Sequence, residues 1–386
     1  MYKFQLSEDG AILALSNDTN GVTARFHAIW LRDNAYDEGT RSSGNGQRLI
    51  TLGDIPTDLF IARADIDGAA LDLTFGPAGD TISYDAKWLM QRRYDRASNA
   101  EISGEPARGW LAEGMQTWNA ALTSSIPTAQ FDTVAADETA LYGWLDDLLR
   151  YGFVHLSGGP IEDGALMRVI ELFGYVRETN YGRQFEVRTE VNPSNLAFTG
   201  LALQAHTDNP YRDPVPTLQV LYCLESSAAG GDSIVVDGFA AAQRLRAENT
   251  AWFDVLADHC ARFEYAGDGT TNLSARRPMI DLQPDGELVG VRFNNRSSAA
   301  ITDVPFDKMQ LYYDAYRRFG EIIDDTAMQV RFRLDPGECF IVDNTRVLHA
   351  RRGYSGAGHR WLQGAYADRD SLQSRWRVLG RRLQIA

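Results

Sequence analysis

LALQAHTDNPYRD, residues 201–213, closes an apolar run on a histidine, a threonine and an aspartate. Residues i and i+2 of a strand point to one face, so a strand ending here sets His206 and Asp208 side by side. That geometry suits a metal ion, and histidine is scarce in this chain, with six in 386 residues. Downstream, TLQVLYCLE, DSIVVDG, CARFEYAG, MIDLQPDGELVGVRFN, MQVRFRL and ECFIVDN read as short strands punctuated by Gly, Pro and Asp. DVPFDKMQLYYDAYRRFGEIIDD reads as the one long amphipathic helix among them. Many short strands with few helices indicate a mainly β fold, a sandwich or jelly-roll barrel with flanking helices, rather than a doubly wound sheet.

Upstream of the opening stretch, DETALYGWLDDLLRYG and EDGALMRVIELFGYV carry apolar residues at helical spacing, with acidic residues at their starts where the helix dipole favours them. FVHLSG between them reads as a strand. Residues 1–95 hold ARFHAIWLRDN, LFIARADIDGAALDLTF and DTISYDAKWL, a small β-rich module with a hairpin signal at Asp67-Gly68. Residues 96–130 are rich in Ser, Ala, Gly and Pro with weak periodicity, which places a linker there and the large domain over 131–386.

Bulk properties remove whole classes of function. The chain carries 38 basic and 52 acidic residues, a net charge of −14, which argues against a nucleic-acid partner held by counterion release. No apolar run approaches membrane-spanning length and the N-terminus MYKFQLSEDG lacks a signal-peptide pattern, so a cytoplasmic protein without a membrane partner is expected. Cys223, Cys260 and Cys339 lie far apart among apolar neighbours and read as buried thiols.

The second chemical element is DPGECFIVDNTRVLHARRGYSGAGHRWLQGAYAD, residues 335–368: a turn, a strand, then His349, with Arg360 eleven residues later. His206, Asp208 and His349 make the ligand set of a two-histidine, one-carboxylate triad, which fills one face of a metal ion, leaves three positions open and favours Fe(II). The other histidines, His27, His155, His259 and His359, lack ligand-like neighbours.

The order of WLRDN, HTD, GGDS, DGF, FNN, HARRGY and GAYAD resembles the taurine dioxygenase-like branch of the Fe(II)/2-oxoglutarate oxygenases, and within it the γ-butyrobetaine and trimethyllysine dioxygenases, over about residues 25–380. The resemblance implies a double-stranded β-helix in which His206, Asp208 and His349 hold Fe(II), and O2 and 2-oxoglutarate are cosubstrates. It implies that Arg360 pairs with the distal carboxylate of 2-oxoglutarate, a task suited to a planar charged fork. Ser233 falls where relatives often carry a threonine and reads either as a hydroxyl contact to that carboxylate or as a turn serine. By the same likeness Tyr181, Phe185, Phe198 and Tyr366 are aromatic walls for a quaternary ammonium group, and Asn195 and Asn294 hold the opposite, anionic end of a small-molecule substrate. Relatives are often homodimers.

Two departures qualify the likeness. Relatives bearing this N-terminal module commonly bind zinc through cysteines just after WLRDN, whereas this chain has Ala35, Asp37 and Thr40 there, so no zinc is expected and the module is held by apolar packing. Arg296 after the asparagine pair and Arg183 between two wall positions are added guanidinium groups. Either they are solvated charges or they serve an anion richer in acceptor oxygens than a carboxylate. The second option leans to 2-(trimethylammonio)ethylphosphonate, with γ-butyrobetaine hydroxylation as the alternative. Outside this class stand a zinc or manganese hydrolase and a non-catalytic barrel. Neither of those needs an anchor such as Arg360.

Overall fold

The computed structural model describes residues 1–18, 21–95, 108–187, 203–227, 230–267, 269–351 and 359–385. The chain divides into two compact units, Met1–Glu105 and Pro106–Ala386.

In the first unit, β1 (Tyr2–Leu6), β2 (Ile12–Asn17) and β3 (Val22–His27) form one antiparallel sheet, and β4 (Phe60–Asp67), β5 (Ala70–Gly76) and β6 (Asp80–Asp85) form another. The β4–β5 hairpin turns at the expected Asp67-Gly68, where Gly68 takes φ of +62° without the Cβ clash another residue would meet. Strict alternation buries Leu71, Leu73 and Phe75 of β5 against Leu13, Leu15 and Phe26. ARFHAIWLRDN is a strand only to His27; Ala28–Asp33 is a helix, and Ala28 and Leu31 are buried at its i, i+3 spacing. Ala35 and Thr40 are fully buried, and this loop is tied by arginines as well as by apolar packing. Arg32 donates to Thr40 Oγ1 (2.7 Å) and Arg41 to the Ala35 carbonyl (3.2 Å).

The second unit runs through β7 (Thr128–Gln130), β8 (Phe153–Ser157), β9 (Phe185–Val187), β10 (Leu203–His206), β11 (Leu218–Ser226), β12 (Ser233–Asp237) and β13 (Cys260–Tyr265). It continues through β14 (Leu273–Pro278), β15 (Ile280–Leu282), β16 (Leu288–Val291), β17 (Gln329–Phe332), β18 (Cys339–Asp343), β19 (Val347–Arg351) and β20 (Arg360–Ala367). Two sheets position the site: a four-stranded one in the order β10-β19-β12-β17, and a six-stranded one in the order β7-β8-β18-β11-β20-β9. The unit is β-rich with flanking helices. β11 is buried along most of its length because both of its faces are covered. Leu218, Val220, Tyr222 and Leu224 pack with Leu141, Leu145, Leu166 and Ile170 of the helices Glu138–Tyr151 and Ala165–Glu171. Leu221 and Cys223, on the other face, pack with Val235 and Val330 of the four-stranded sheet.

Two expectations are corrected. The region after β10 holds more than one helix: besides Met309–Asp324, it contains Gly238–Glu248, Thr250–Asp258 and Arg369–Arg382. In the first of these the apolar positions are largely alanine, which favours helix but gives little contrast between faces. The linker over 96–130 is also too long. Residues 108–130 belong to the second unit, where the Gly109 N–H donates to the Gly286 carbonyl (2.7 Å), Trp118 is buried, and β7 pairs with β8.

Candidate active site

His206 is the last residue of β10 and stands opposite His349 of β19 in antiparallel register, which brings their rings to 4.4 Å between centroids. Asp208 lies two residues beyond the end of β10 rather than on it, in a turn where Asn209 takes φ of 53°. What fixes it is the turn between β18 and β19. Asn344, buried there, accepts from the Asp208 N–H (2.7 Å) and donates to the Asp208 carbonyl (3.0 Å) and the Pro216 carbonyl (2.9 Å). Asp208 Oδ1 is then 3.3 Å from His206 Nε2 and 3.9 Å from His349 Nε2. Ligand atoms of the three residues all lie within 4.8 Å of one another, and no other such group of three occurs among the described residues.

The donor set fits a divalent cation with nitrogen and oxygen preferences. His206 Nδ1 lies 2.7 Å from the Gln204 carbonyl, which can only accept, so this nitrogen carries the proton and Nε2 is left as the ligand atom. The imidazole of His349 is neutral. Burial, joined by the neighbouring His206 and opposed by Asp208, pushes it down to about 3. Its Nδ1 is buried with no hydrogen-bond partner among the described residues. Asp208 is held below the usual carboxylate range; burial opposes this and is overcome by His349, His206 and the Tyr366 hydroxyl. Its Oδ2 accepts from Gln219 Nε2 (2.6 Å) and from Tyr366 OH (2.8 Å).

The triad sits in a cavity of about 570 Å³ lined from both sheets. Tyr181, Phe185, Ser233, Asn294, Arg296, Arg360 and Tyr366 all line it. Phe185 and Tyr366 are ring neighbours at 5.2 Å and Tyr181 stands 6.3 Å from Phe185, so three of the four expected walls are one cluster. Asn195 and Phe198 lie outside the described residues. Arg183 is exposed and is not among the cavity residues, which fits the solvated-charge alternative for it. Arg296 does reach in, and its guanidinium donates to His206 Nε2 (2.7 Å), on the one lone pair that an ion held there would take in its place. Asn294 is committed within the protein. Its Oδ1 caps the short turn Asn295–Ser297 and its Nδ2 donates to the Thr207 carbonyl (3.0 Å).

Among the cavity residues that the sequence did not reveal are Gln219, Tyr211, Tyr265, Glu264 and Arg351. Tyr211 lies in the opening stretch itself, its hydroxyl 2.8 Å from that of Tyr181, and Tyr265 stacks on it at 5.2 Å. Glu264, beside Tyr265, is exposed at the cavity and adds a negative charge to this aromatic side. Arg351 follows His349 by two on β19, on the same strand face, opposite Ser233 in register. Period-two spacing from His349 was a signal that could have found Arg351.

The sequence model of the family described as "Taurine catabolism dioxygenase TauD, TfdA family" matches residues 113–366. γ-Butyrobetaine dioxygenase of Pseudomonas sp. (strain AK-1) is 33% identical over 363 residues, covering 94% of this chain and 92% of that protein. The γ-butyrobetaine dioxygenase of Homo sapiens is 29% identical, covering 93% and 92% respectively. The mitochondrial trimethyllysine dioxygenase of Bos taurus is 28% identical over 381 residues, covering 98% of this chain and 87% of that protein.

Proposed function

This chain belongs to the TauD, TfdA family and is an Fe(II)/2-oxoglutarate-dependent dioxygenase, and we propose that it hydroxylates a small trimethylammonium compound with an anionic end. The reading rests most on one observation, the meeting of the His206–Asp208–His349 group and an aromatic wall in a single cavity. The order of the two sheets supports a double-stranded β-helix as the frame.

Held by His206, Asp208 and His349, Fe(II) supplies the chemistry that couples O2-driven decarboxylation of 2-oxoglutarate to hydroxylation of a C–H bond. One substrate, one 2-oxoglutarate and one O2 give hydroxylated product, succinate and CO2. The chain's own residues bind and orient. Arg360 offers a forked guanidinium to the distal carboxylate of 2-oxoglutarate, with Ser233 as a hydroxyl contact. Tyr181, Phe185, Tyr211, Tyr265 and Tyr366 offer ring faces to the trimethylammonium group, each desolvated contact contributing ~0.5–2 kcal/mol, and Glu264 adds attraction of the same sign. We assign to the anionic end Arg296, whose guanidinium an ion bound at His206 Nε2 would displace. Enclosure between the sheets fixes which C–H lies nearest the metal and excludes water.

γ-Butyrobetaine is the first substrate to test, because two of the relatives carry that activity in their names. The phosphonate reading drew on two arginines; Arg296 alone now supports it, Arg183 being exposed. The experiment is a panel of γ-butyrobetaine, trimethyllysine, glycine betaine and 2-(trimethylammonio)ethylphosphonate, scored by 2-oxoglutarate-dependent succinate formed with wild type and with Arg296→Ala. The expected result is strongest stimulation by γ-butyrobetaine, with KM raised roughly tenfold or more in Arg296→Ala, the scale of a lost charge-assisted hydrogen bond. Strongest stimulation by the phosphonate, abolished in Arg296→Ala, selects the second reading. Absence of stimulation by every trimethylammonium compound overturns both.

A further inference from the structure

Two neutral side chains beside the triad have geometry that its membership alone does not require. Gln219 of β11 and Tyr366 of β20 are direct partners across the antiparallel pair, so their side chains emerge on one face. Both point at the same atom: Gln219 Nε2 lies 2.6 Å and Tyr366 OH 2.8 Å from Asp208 Oδ2. The other oxygen, Oδ1, faces the two imidazoles. We infer that Gln219 and Tyr366 form a two-donor clamp that makes Asp208 a one-oxygen ligand and thereby keeps a coordination position open for O2; the inference rests on the triad reading above.

A carboxylate oxygen has two in-plane lone pairs, and two short hydrogen bonds occupy both. Oδ2 is therefore spent on the protein, and only Oδ1 remains for a metal. In a six-coordinate ion, three single-atom protein ligands leave three positions. Chelation by the 2-oxo acid end of 2-oxoglutarate would take two of these and leave one. A carboxylate bound through both oxygens would take that last position. The backbone of Asp208 is independently fixed by Asn344, so the rotation of the carboxylate is the remaining freedom, and the clamp removes it. Tyr366 thus has two separable parts, a ring that lines the cavity and a hydroxyl that positions the ligand. Gln219 is a positioning residue, buried at 2% exposure, with Oε1 lacking a partner among the described residues, so its amide is oriented by the bond to Asp208.

Tyr366→Phe keeps the ring and deletes the hydroxyl; Gln219→Leu keeps the bulk and deletes the amide. Each variant and wild type would be loaded anaerobically with Fe(II) and saturating 2-oxoglutarate, without substrate. Titration with nitric oxide, a stable surrogate for O2, would then be followed by the electron paramagnetic resonance of the iron–nitrosyl. Wild type should give about one nitrosyl per bound iron, and each variant several-fold less per bound iron. Iron binding in the variants should weaken by roughly 10–100-fold, the range for loss of a partner that orients a metal ligand. The nitrosyl yield is counted per bound iron, so a merely structural role would leave it unchanged. An unchanged yield in Tyr366→Phe overturns the clamp, and Tyr366→Phe alone decides the matter should Gln219→Leu fail to fold. Failure of wild type to bind iron would instead sink the triad reading.

Discussion

His349 is enclosed in β19, and burial lowers its imidazole to about 3 against roughly 6.5 in an unfolded chain. The direction of the pH effect follows. Below about 6.5 the unfolded state takes up a proton at this residue while the folded state does not until about 3. Stability of the metal-free protein therefore drops as pH falls through that window and is fully present above it. Between pH 7 and 5 the loss attributable to His349 is on the order of 1–2 kcal/mol. Urea unfolding at the two pH values checks this: the difference should shrink in His349→Gln, which cannot titrate. At this scale the ligands were legible because a triad needs scarce residue types in a recognisable order. Gln219 and Arg351 were not, since a glutamine in TLQVLY and an arginine in HARRGY gain meaning only through strand register. Tyr211 was in plain view within NPYRD, yet nothing local says that its ring joins those of Tyr181 and Tyr265.

The turn from β18 to β19 is the element on which the site hangs. Asn344 holds Asp208, His349 follows four residues after Thr345, and between them Arg346 is buried against Asp237. The Arg346 guanidinium bonds both Asp237 oxygens and the carbonyls of Gln116 and Arg150. Asp237 also caps the helix Gly238–Glu248 and accepts from the Trp118 N–H (3.1 Å). Gly238 has no alternative here, because a Cβ would lie 2.5 Å from the Arg346 carbonyl. Side-chain exposures of 2% and 0% leave neither charge a route to water. Asp237→Ala should therefore destabilise the protein by about 3–5 kcal/mol, as expected for a buried charge stripped of its partner. Urea unfolding measures it, and a loss under 1 kcal/mol would contradict the assignment. In the sequence DGF served only as a mark of likeness; its physical reason, a cap and a buried ion pair locked to the turn before His349, needed the tertiary structure. The same limit hid segment 108–130, whose Ser, Gly and Pro content signals a loop but cannot say that Gln116 and Trp118 are seats for that pair.

At the scale of the whole chain, alternation and turn chemistry made the β-rich character of both units readable, including the Asp67-Gly68 hairpin. Strand order was not readable, because β10, β19, β12 and β17 are neighbours only through long connections. The two units also differ in what they ask of a metal. Residues 33–48 offer no thiolate and no histidine, and Arg32, Arg41 and Arg48 make the ties within that loop. The second unit supplies the His206–Asp208–His349 group. The most direct test is the metal content of the folded chain after anaerobic loading with Fe(II) and Zn(II), compared between wild type and His206→Ala. One tightly held Fe(II) per wild-type chain, no second ion held by the first unit, and iron affinity lowered by at least 100-fold in a variant that still unfolds cooperatively is the predicted result. Iron bound as tightly by His206→Ala, with 2-oxoglutarate still converted to succinate, would contradict it.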